Sequence, residues 1–226
     1  MPAPGLRADL QAVLFDLDGT LVDSAPDLAG AVNDLRAAEG LVHMPPDQLR
    51  PMVGAGARGM LGLAFGVRPG DARYDTLREA FLRRYAQRLL QCTRVFPDVE
   101  PLLAALDQRG LPWGIVTNKA WALAQPIAAG LRLEQRAAVL IGGDTTPFSK
   151  PHPEPLLEAA RRINADPARC VYVGDDERDV SAGRAAGMAT LAAAWGYLGL
   201  GAPVHEWGAH GILQRPKDLL QWLPMP

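Results

Sequence analysis

Two carboxylates, Asp16 and Asp18, stand two residues apart where the short apolar run Ala12–Phe15 stops, and Gly19 follows them. Side chains two apart on an extended segment point the same way, so both acids reach one ligand. Paired carboxylates of this kind hold a divalent cation, divide nucleophilic and acid/base work between them, or do both. Other apolar runs end in the same manner. Thr117 and Asn118 follow residues 113–116; Asp175 and Asp176 follow residues 170–173, with Glu177 and Asp179 just beyond. Lys150 sits upstream of the last run, in Ser149-Lys150-Pro151. Three polar strand ends and a lysine make a site whose natural occupants are a cation, a phosphate and a nucleophile.

The elements that must position these residues follow from periodicity. Short β-prone runs at 11–15, 113–116, 139–141, 170–173 and 190–193 read as buried strands. Helical patterns separate them, at 97–110, 121–129, around Leu156, Leu157, Ala160 and Ile163, at 181–186 and at 217–222. Strands alternating with helices predict an α/β chain, a Rossmann-like parallel sheet covered by helices on both faces. In an open parallel sheet, ligands bind at the carboxyl edge, where all the polar residues above fall. Between residues 24 and 91 the pattern is helical throughout. Ser24 reads as an N-cap with Asp27 three residues on, and Leu28, Val32 and Leu35 form a helical face. Leu77, Phe81, Tyr85 and Leu89 recur every four residues. This predicts an all-helical cap at 24–91, inserted between the first and second core strands, with the α/β core made of 1–23 and 92–226.

Composition narrows the partners. The 226 residues carry a formal net charge of −2, without the basic excess of a nucleic-acid or anionic-membrane binder. Cys92 and Cys170 match no metal-ligand spacing and read as two reduced core thiols. Residues 1–10 lack the apolar segment of a leader, residues 1–9 read as an irregular start, and no run approaches a membrane span. The expected location is the cytoplasm. His43, His205 and His210 have no partner pattern and read as structural or surface residues; His152, between two prolines near Lys150, reads as a loop residue rather than a catalyst.

Asp16-Leu17-Asp18-Gly19-Thr20-Leu21, Thr117-Asn118, Lys150-Pro151 and Gly174-Asp175-Asp176-Glu177-Arg178-Asp179 resemble, in order and spacing, the four motifs of the haloacid dehalogenase-like hydrolases. The resemblance spans most of the chain and includes a helical cap between the first two motifs. It implies that Asp16 is a nucleophile forming an aspartyl-phosphate and that Asp18 is the acid and base. It also implies that Mg²⁺ is held by the Asp16 carboxylate, the Asp18 backbone carbonyl and the Asp175 carboxylate. The Thr117 hydroxyl, the Asn118 backbone N–H and Lys150 would hold phosphate, and Asp179 would support the metal waters or orient Lys150. Asp176 stands where many members carry a small hydroxyl residue; it adds a carboxylate near the metal or faces solvent.

Substrate choice then falls to the cap. Gly54 and Gly56 let the backbone of the 53–58 loop approach a ligand, and Arg58 offers a fork for a carboxylate. This loop and the return at Val95-Phe96-Pro97-Asp98 look like the phosphoglycolate phosphatase branch. The whole chain also resembles the bacterial N-acetylmuramic acid 6-phosphate phosphatases. The expected substrate is a small phosphorylated metabolite, 2-phosphoglycolate first and N-acetylmuramic acid 6-phosphate as the alternative, handled by a monomer or homodimer. A sugar phosphomutase uses the same acid pair but returns the phosphoryl group to substrate. A phospho-accepting receiver also gathers acids, Thr and Lys at strand ends, but leaves the helical insertion unexplained.

Overall fold

The computed structural model describes residues 9–223, so the expectations made on residues 1–8 lie outside it. In chain order the elements are β1 (Ala12–Phe15), β2 (Val22–Asp23), α1 (Ala25–Ala38), α2 (Pro46–Leu49), α3 (Gly56–Phe65), α4 (Tyr74–Ala86), β3 (Arg94–Val95), α5 (Val99–Gln108), β4 (Trp113–Val116), α6 (Trp121–Gly130), β5 (Val139–Ile141), α7 (Glu154–Arg162), β6 (Cys170–Gly174), α8 (Glu177–Ala185), β7 (Ala189–Ala193) and β8 (Gly211–Leu213). Six strands form one parallel sheet in the order β5-β4-β1-β6-β7-β8.

Alternation along β1 shows why both faces are covered. Val13 and Phe15 enter one apolar core with α5 and α6, while Ala12 and Leu14 enter another with α7 and α8. A strand buried on both faces reads as a continuous apolar run, which is how this one reads. The chain runs from β1 outward through β4 and β5, then crosses to the other side of β1 for β6, β7 and β8. The direction of winding therefore reverses at β1 and β6, which places the ligand crevice beyond their carboxyl ends.

The helices α1 to α4 lie between β1 and β4, as the sequence predicts. Leu28, Val32, Met60, Leu61, Leu77, Phe81 and Tyr85 bury one face of each long helix in a shared core. The short ribbon of β2 and β3 at the base of this segment, pairing Val22 with Val95 and Asp23 with Arg94, has no sequence signal. Two residues are too few to show a period. Ser24 stands at the N-cap of α1 but makes no side-chain cap bond, and Asp27 completes no capping box; it is buried and accepts from the Thr93 hydroxyl and from the backbone N–H groups of Thr93 and of Cys92, itself an exposed residue, at 2.7–3.0 Å. A buried carboxylate needs donors, and these tie the returning chain to the departing one.

Three expectations shift at the C-terminal side. Helix α8 starts at Glu177 rather than 181, because Asp176 accepts from the Arg178 N–H while Asp179 accepts from the Asp176 N–H. That reciprocal pair is a capping box. Strand β8 was not foreseen, and Pro216–Gln221 is a 3-10 helix in place of the expected α-helix.

Candidate active site

Asp16 leaves β1 with its N–H still on the Val173 carbonyl of β6, at 2.9 Å, so its side chain emerges between two strand ends. Asp175 follows β6 beside it. Asp175 is gripped by the Thr20 hydroxyl and the Tyr197 N–H, each at 2.8 Å. Gly19 makes this approach possible: its φ is +87°, and a Cβ there would lie 2.0 Å from Asp175 Oδ2. Gly19→Ala is therefore expected to displace Asp175 and to cost about 1–2 kcal/mol from backbone strain alone. Urea unfolding that matched wild type would rule this out.

Lys150 is almost fully buried at the same edge. Its Nζ lies 2.9 Å from Asp16 Oδ1 and 2.7 Å from Asp179 Oδ1, and it donates to the Val116 carbonyl at 2.9 Å and the Tyr172 hydroxyl at 2.7 Å. Burial works to lower its pKa, but the Asp16 and Asp179 charges outweigh that and hold it above the usual lysine range. Asn118 fixes the lysine's backbone, its amide bonding both the N–H and the C=O of Lys150 at 2.9 Å. The Thr117 hydroxyl accepts from the Lys119 N–H at 3.1 Å, which seats it at the end of β4.

Asp16 and Asp18 occupy different surroundings. One Asp18 oxygen lies 3.2 Å from Lys119 Nζ and the other accepts from the Ser24 hydroxyl. Lys119 also donates to the Tyr85 hydroxyl of α4, at 2.8 Å. Asp16 instead joins Asp175 and Asp179, with one oxygen of each lying within 4.8 Å of the others. Burial pushes Asp16 up to about 7 despite Lys150, helped by the charges of Asp179 and Asp18. Asp175 is raised well above the usual carboxylate range by burial and by the Asp16 and Asp179 charges.

That cluster fits a divalent cation. Its donors are all oxygens, the choice of Mg²⁺ and similar hard ions. Asp16 Oδ1 is enclosed, and its charged neighbour is the Lys150 ammonium at 2.9 Å, which does not align as a donor to it. A cation at this point removes the mutual repulsion that raises Asp16 and Asp175.

A cavity of about 330 Å³ opens over these groups. Its floor is Asp16, Asp18, Thr117, Asn118, Lys150, Asp175 and Asp179; its roof is Gly54 to Ala57 and the α4 residues Arg78, Phe81, Leu82 and Tyr85. All the core residues read from the sequence therefore meet in one place, together with Gly54 and Gly56. Arg58 does not join them. It is exposed, and it lines a neighbouring groove with Met52 and Ala55, because the turn of α3 carries it away from the cavity. Asp176 takes neither of the places open to it. It caps α8 and pairs with Arg178 at 2.7 and 2.8 Å, while Arg178 reaches across to donate to the Gly54 carbonyl. Burial alone would raise the Asp176 carboxyl, but the Arg178 guanidinium holds it below its ordinary value. The sequence assigns no site role to Lys119, Tyr85, Thr20, Tyr197 or Arg178, although Thr20 and Arg178 stand inside the quoted motifs and Lys119 directly follows Thr117-Asn118.

Comparison with known proteins agrees with this geometry. Residues 10–187 match the model of a haloacid dehalogenase-like hydrolase. A phosphoglycolate phosphatase of Xanthomonas campestris is 50% identical over 215 residues, covering 95% of this chain and 96% of that protein. An N-acetylmuramic acid 6-phosphate phosphatase of Pseudomonas aeruginosa is 41% identical over 217 residues, covering 96% of each. The crystal structure of a predicted phosphoglycolate phosphatase from Haemophilus somnus superposes with a TM-score of 0.84 at 26% identity, covering 94% of this chain and 97% of that one.

Proposed function

Because the chain belongs to the haloacid dehalogenase-like hydrolases and is a phosphatase of that family, we propose that it cleaves a small phosphate monoester through an aspartyl-phosphate on Asp16. The observation that carries this reading is the separation of the two acids. Asp16 sits in the carboxylate cluster with Lys150, while Asp18 turns to Lys119 and Ser24.

The Asp16 carboxylate attacks phosphorus, and the bond to the leaving oxygen breaks as Asp18 gives that oxygen a proton. Asp18, now ionised, takes a proton from a water that attacks the aspartyl-phosphate. Inorganic phosphate departs and Asp16 is regenerated. Thr117, the Asn118 N–H and Lys150 hold the phosphate oxygens meanwhile. The family normally uses a divalent metal; here Asp16, Asp175 and the Asp18 carbonyl would hold Mg²⁺, with Asp179 in support. When bound, Mg²⁺ supplies charge that offsets the repulsion between carboxylate and phosphate. Residues 24–91 act as the cap and 1–23 with 92–226 as the core, in a cytoplasmic monomer or homodimer. Among the described residues, no helix is long and apolar enough to cross a membrane.

The relative at 50% identity supports 2-phosphoglycolate as substrate. The cavity favours the second reading, N-acetylmuramic acid 6-phosphate, since about 330 Å³ exceeds what a two-carbon phosphate fills. A phosphate-release screen with Mg²⁺ across both compounds, other sugar phosphates and nucleoside monophosphates tests the function. Failure to release inorganic phosphate from any of them would overturn it, and return of the phosphoryl group to sugar would mark a mutase.

Metal binding has its own expected result. Folded-state pKa values raised above the unfolded ones mean that the contribution of Asp16 and Asp175 to metal-free stability is greatest at low pH. It falls as pH rises from about 4 through the raised Asp16 value of about 7. At one fixed Mg²⁺ concentration the rise in Tm should therefore be larger at pH 8 than at pH 5, and at a hundred times the pH 8 Kd the gain in stability there is about 2.7 kcal/mol. Asp175→Asn should abolish the gain. An equal Mg²⁺ effect in wild type and variant, measured by thermal unfolding, would remove Asp175 from the site.

A further inference from the structure

Four cationic side chains line the cavity, and three are already engaged. Lys150 pairs with Asp16 and Asp179, Lys119 with Asp18, and Arg178 with Asp176. The fourth, Arg78 of α4, has no ion pair or side-chain hydrogen bond among the described residues. It is exposed to solvent and lines the space that a substrate must enter.

Its position along α4 sets a length. Arg78, Phe81, Leu82 and Tyr85 follow the i, i+3, i+4, i+7 spacing, so one helix face roofs the cavity. Tyr85 marks the chemical end of that face, because its hydroxyl touches Lys119, which in turn contacts Asp18. Arg78 lies two helical turns earlier, about 10 Å along the axis. Phe81 and Leu82 from α4 and Leu123 from α6 form an apolar stretch of wall within the cavity.

We propose that Arg78 is the specificity-determining residue, receiving a carboxylate carried on the part of the substrate remote from its phosphate. This deepens the phosphatase reading and rests on it. The matching class is a sugar phosphate bearing an acid substituent remote from its phosphate. The carboxylate of 2-phosphoglycolate is roughly 4 Å from phosphorus, a span of three covalent bonds, well short of the two helical turns that separate Tyr85 from Arg78. The guanidinium fork suits a carboxylate bidentately, which a lysine does not reproduce.

The test measures kcat/KM with Mg²⁺ for N-acetylmuramic acid 6-phosphate, for N-acetylglucosamine 6-phosphate, which lacks the acid substituent, and for 2-phosphoglycolate. Wild type should prefer the first. In Arg78→Ala the ratio between the two sugar phosphates should collapse by about 10- to 100-fold, mainly through KM, and Arg78→Lys should recover part of it. An unchanged ratio in Arg78→Ala, or a wild type that prefers 2-phosphoglycolate, overturns the Arg78 proposal and leaves the phosphatase standing. A wild type that releases phosphate from none of the three and none of the wider panel overturns both.

Discussion

Asp16→Asn yields a folded protein whose phosphate release falls by at least about 10⁴-fold, the scale on which removal of a nucleophile acts. The amide matches the carboxylate in shape, so Thr117, Asn118, Lys150 and Asp18 keep their places and only the attacking charge is lost. Stability separates this from a general disruption. Asp16 is largely enclosed, pushed up to about 7, and crowded by Asp175 and Asp179. Asparagine removes one of three mutually repelling carboxylates, while Lys150 keeps Asp179 at 2.7 Å. Metal-free Asp16→Asn should thus unfold at the same temperature as wild type or higher at pH 8. A gain in stability with loss of activity is what an active site held against its own electrostatics predicts. The comparison variant is Asp18→Asn, in which the phosphoenzyme forms slowly and is hydrolysed more slowly still. Labelled phosphate should be trapped on Asp18→Asn and never on Asp16→Asn. Appreciable turnover by Asp16→Asn would end the case for Asp16 as nucleophile.

Much of this site was readable because the fold converts sequence position into spatial position in a regular way. Each buried parallel strand delivers its next residues to one edge, so Asp16, Thr117 and Asp175 had to converge once the strands were recognised. The apolar runs of β1, β4 and β6 carry that signal strongly because both faces of the sheet are covered. What was illegible comes from contacts between distant elements. Tyr85 lies on the buried stripe of α4 and reads as core; nothing in that stripe announces that its hydroxyl meets Lys119. Arg178 reaches the Gly54 carbonyl across 124 positions, and Tyr197 holds Asp175 from a loop with no periodicity. Arg58 and Arg78 make the same point in reverse. Both are arginines of the helical segment, and only the rotation of α3 and α4 against the sheet decides which one faces the cavity.

Lys150→Met is expected to cost about 3–5 kcal/mol at pH 8, the usual consequence of removing one partner from a buried charge cluster. Lys150 is the buried cation facing both Asp16 and Asp179, and its side chain is 2% exposed. Its raised pKa lies above the unfolded value, so its stabilising contribution is complete below about pH 10.4 and lost only above that. At pH 5 to 8 wild type therefore has the full benefit. In the variant, Asp16 loses the main influence that lowers its pKa, and the carboxylates stay protonated to higher pH. The loss should accordingly be smaller at pH 5, where protonation relieves the repulsion, and larger at pH 8. Mg²⁺ should restore part of the stability at pH 8 by taking over the neutralising charge. Activity should not return with it. The phosphate would lack a positive partner on the side of Val116 and Tyr172, and kcat should remain about 10²–10³-fold low at saturating Mg²⁺. Urea unfolding at the two pH values, with and without Mg²⁺, tests the electrostatic account independently of turnover. A loss that is equal at pH 5 and pH 8 would show that Lys150 stabilises by packing its stem rather than by neutralising the acids.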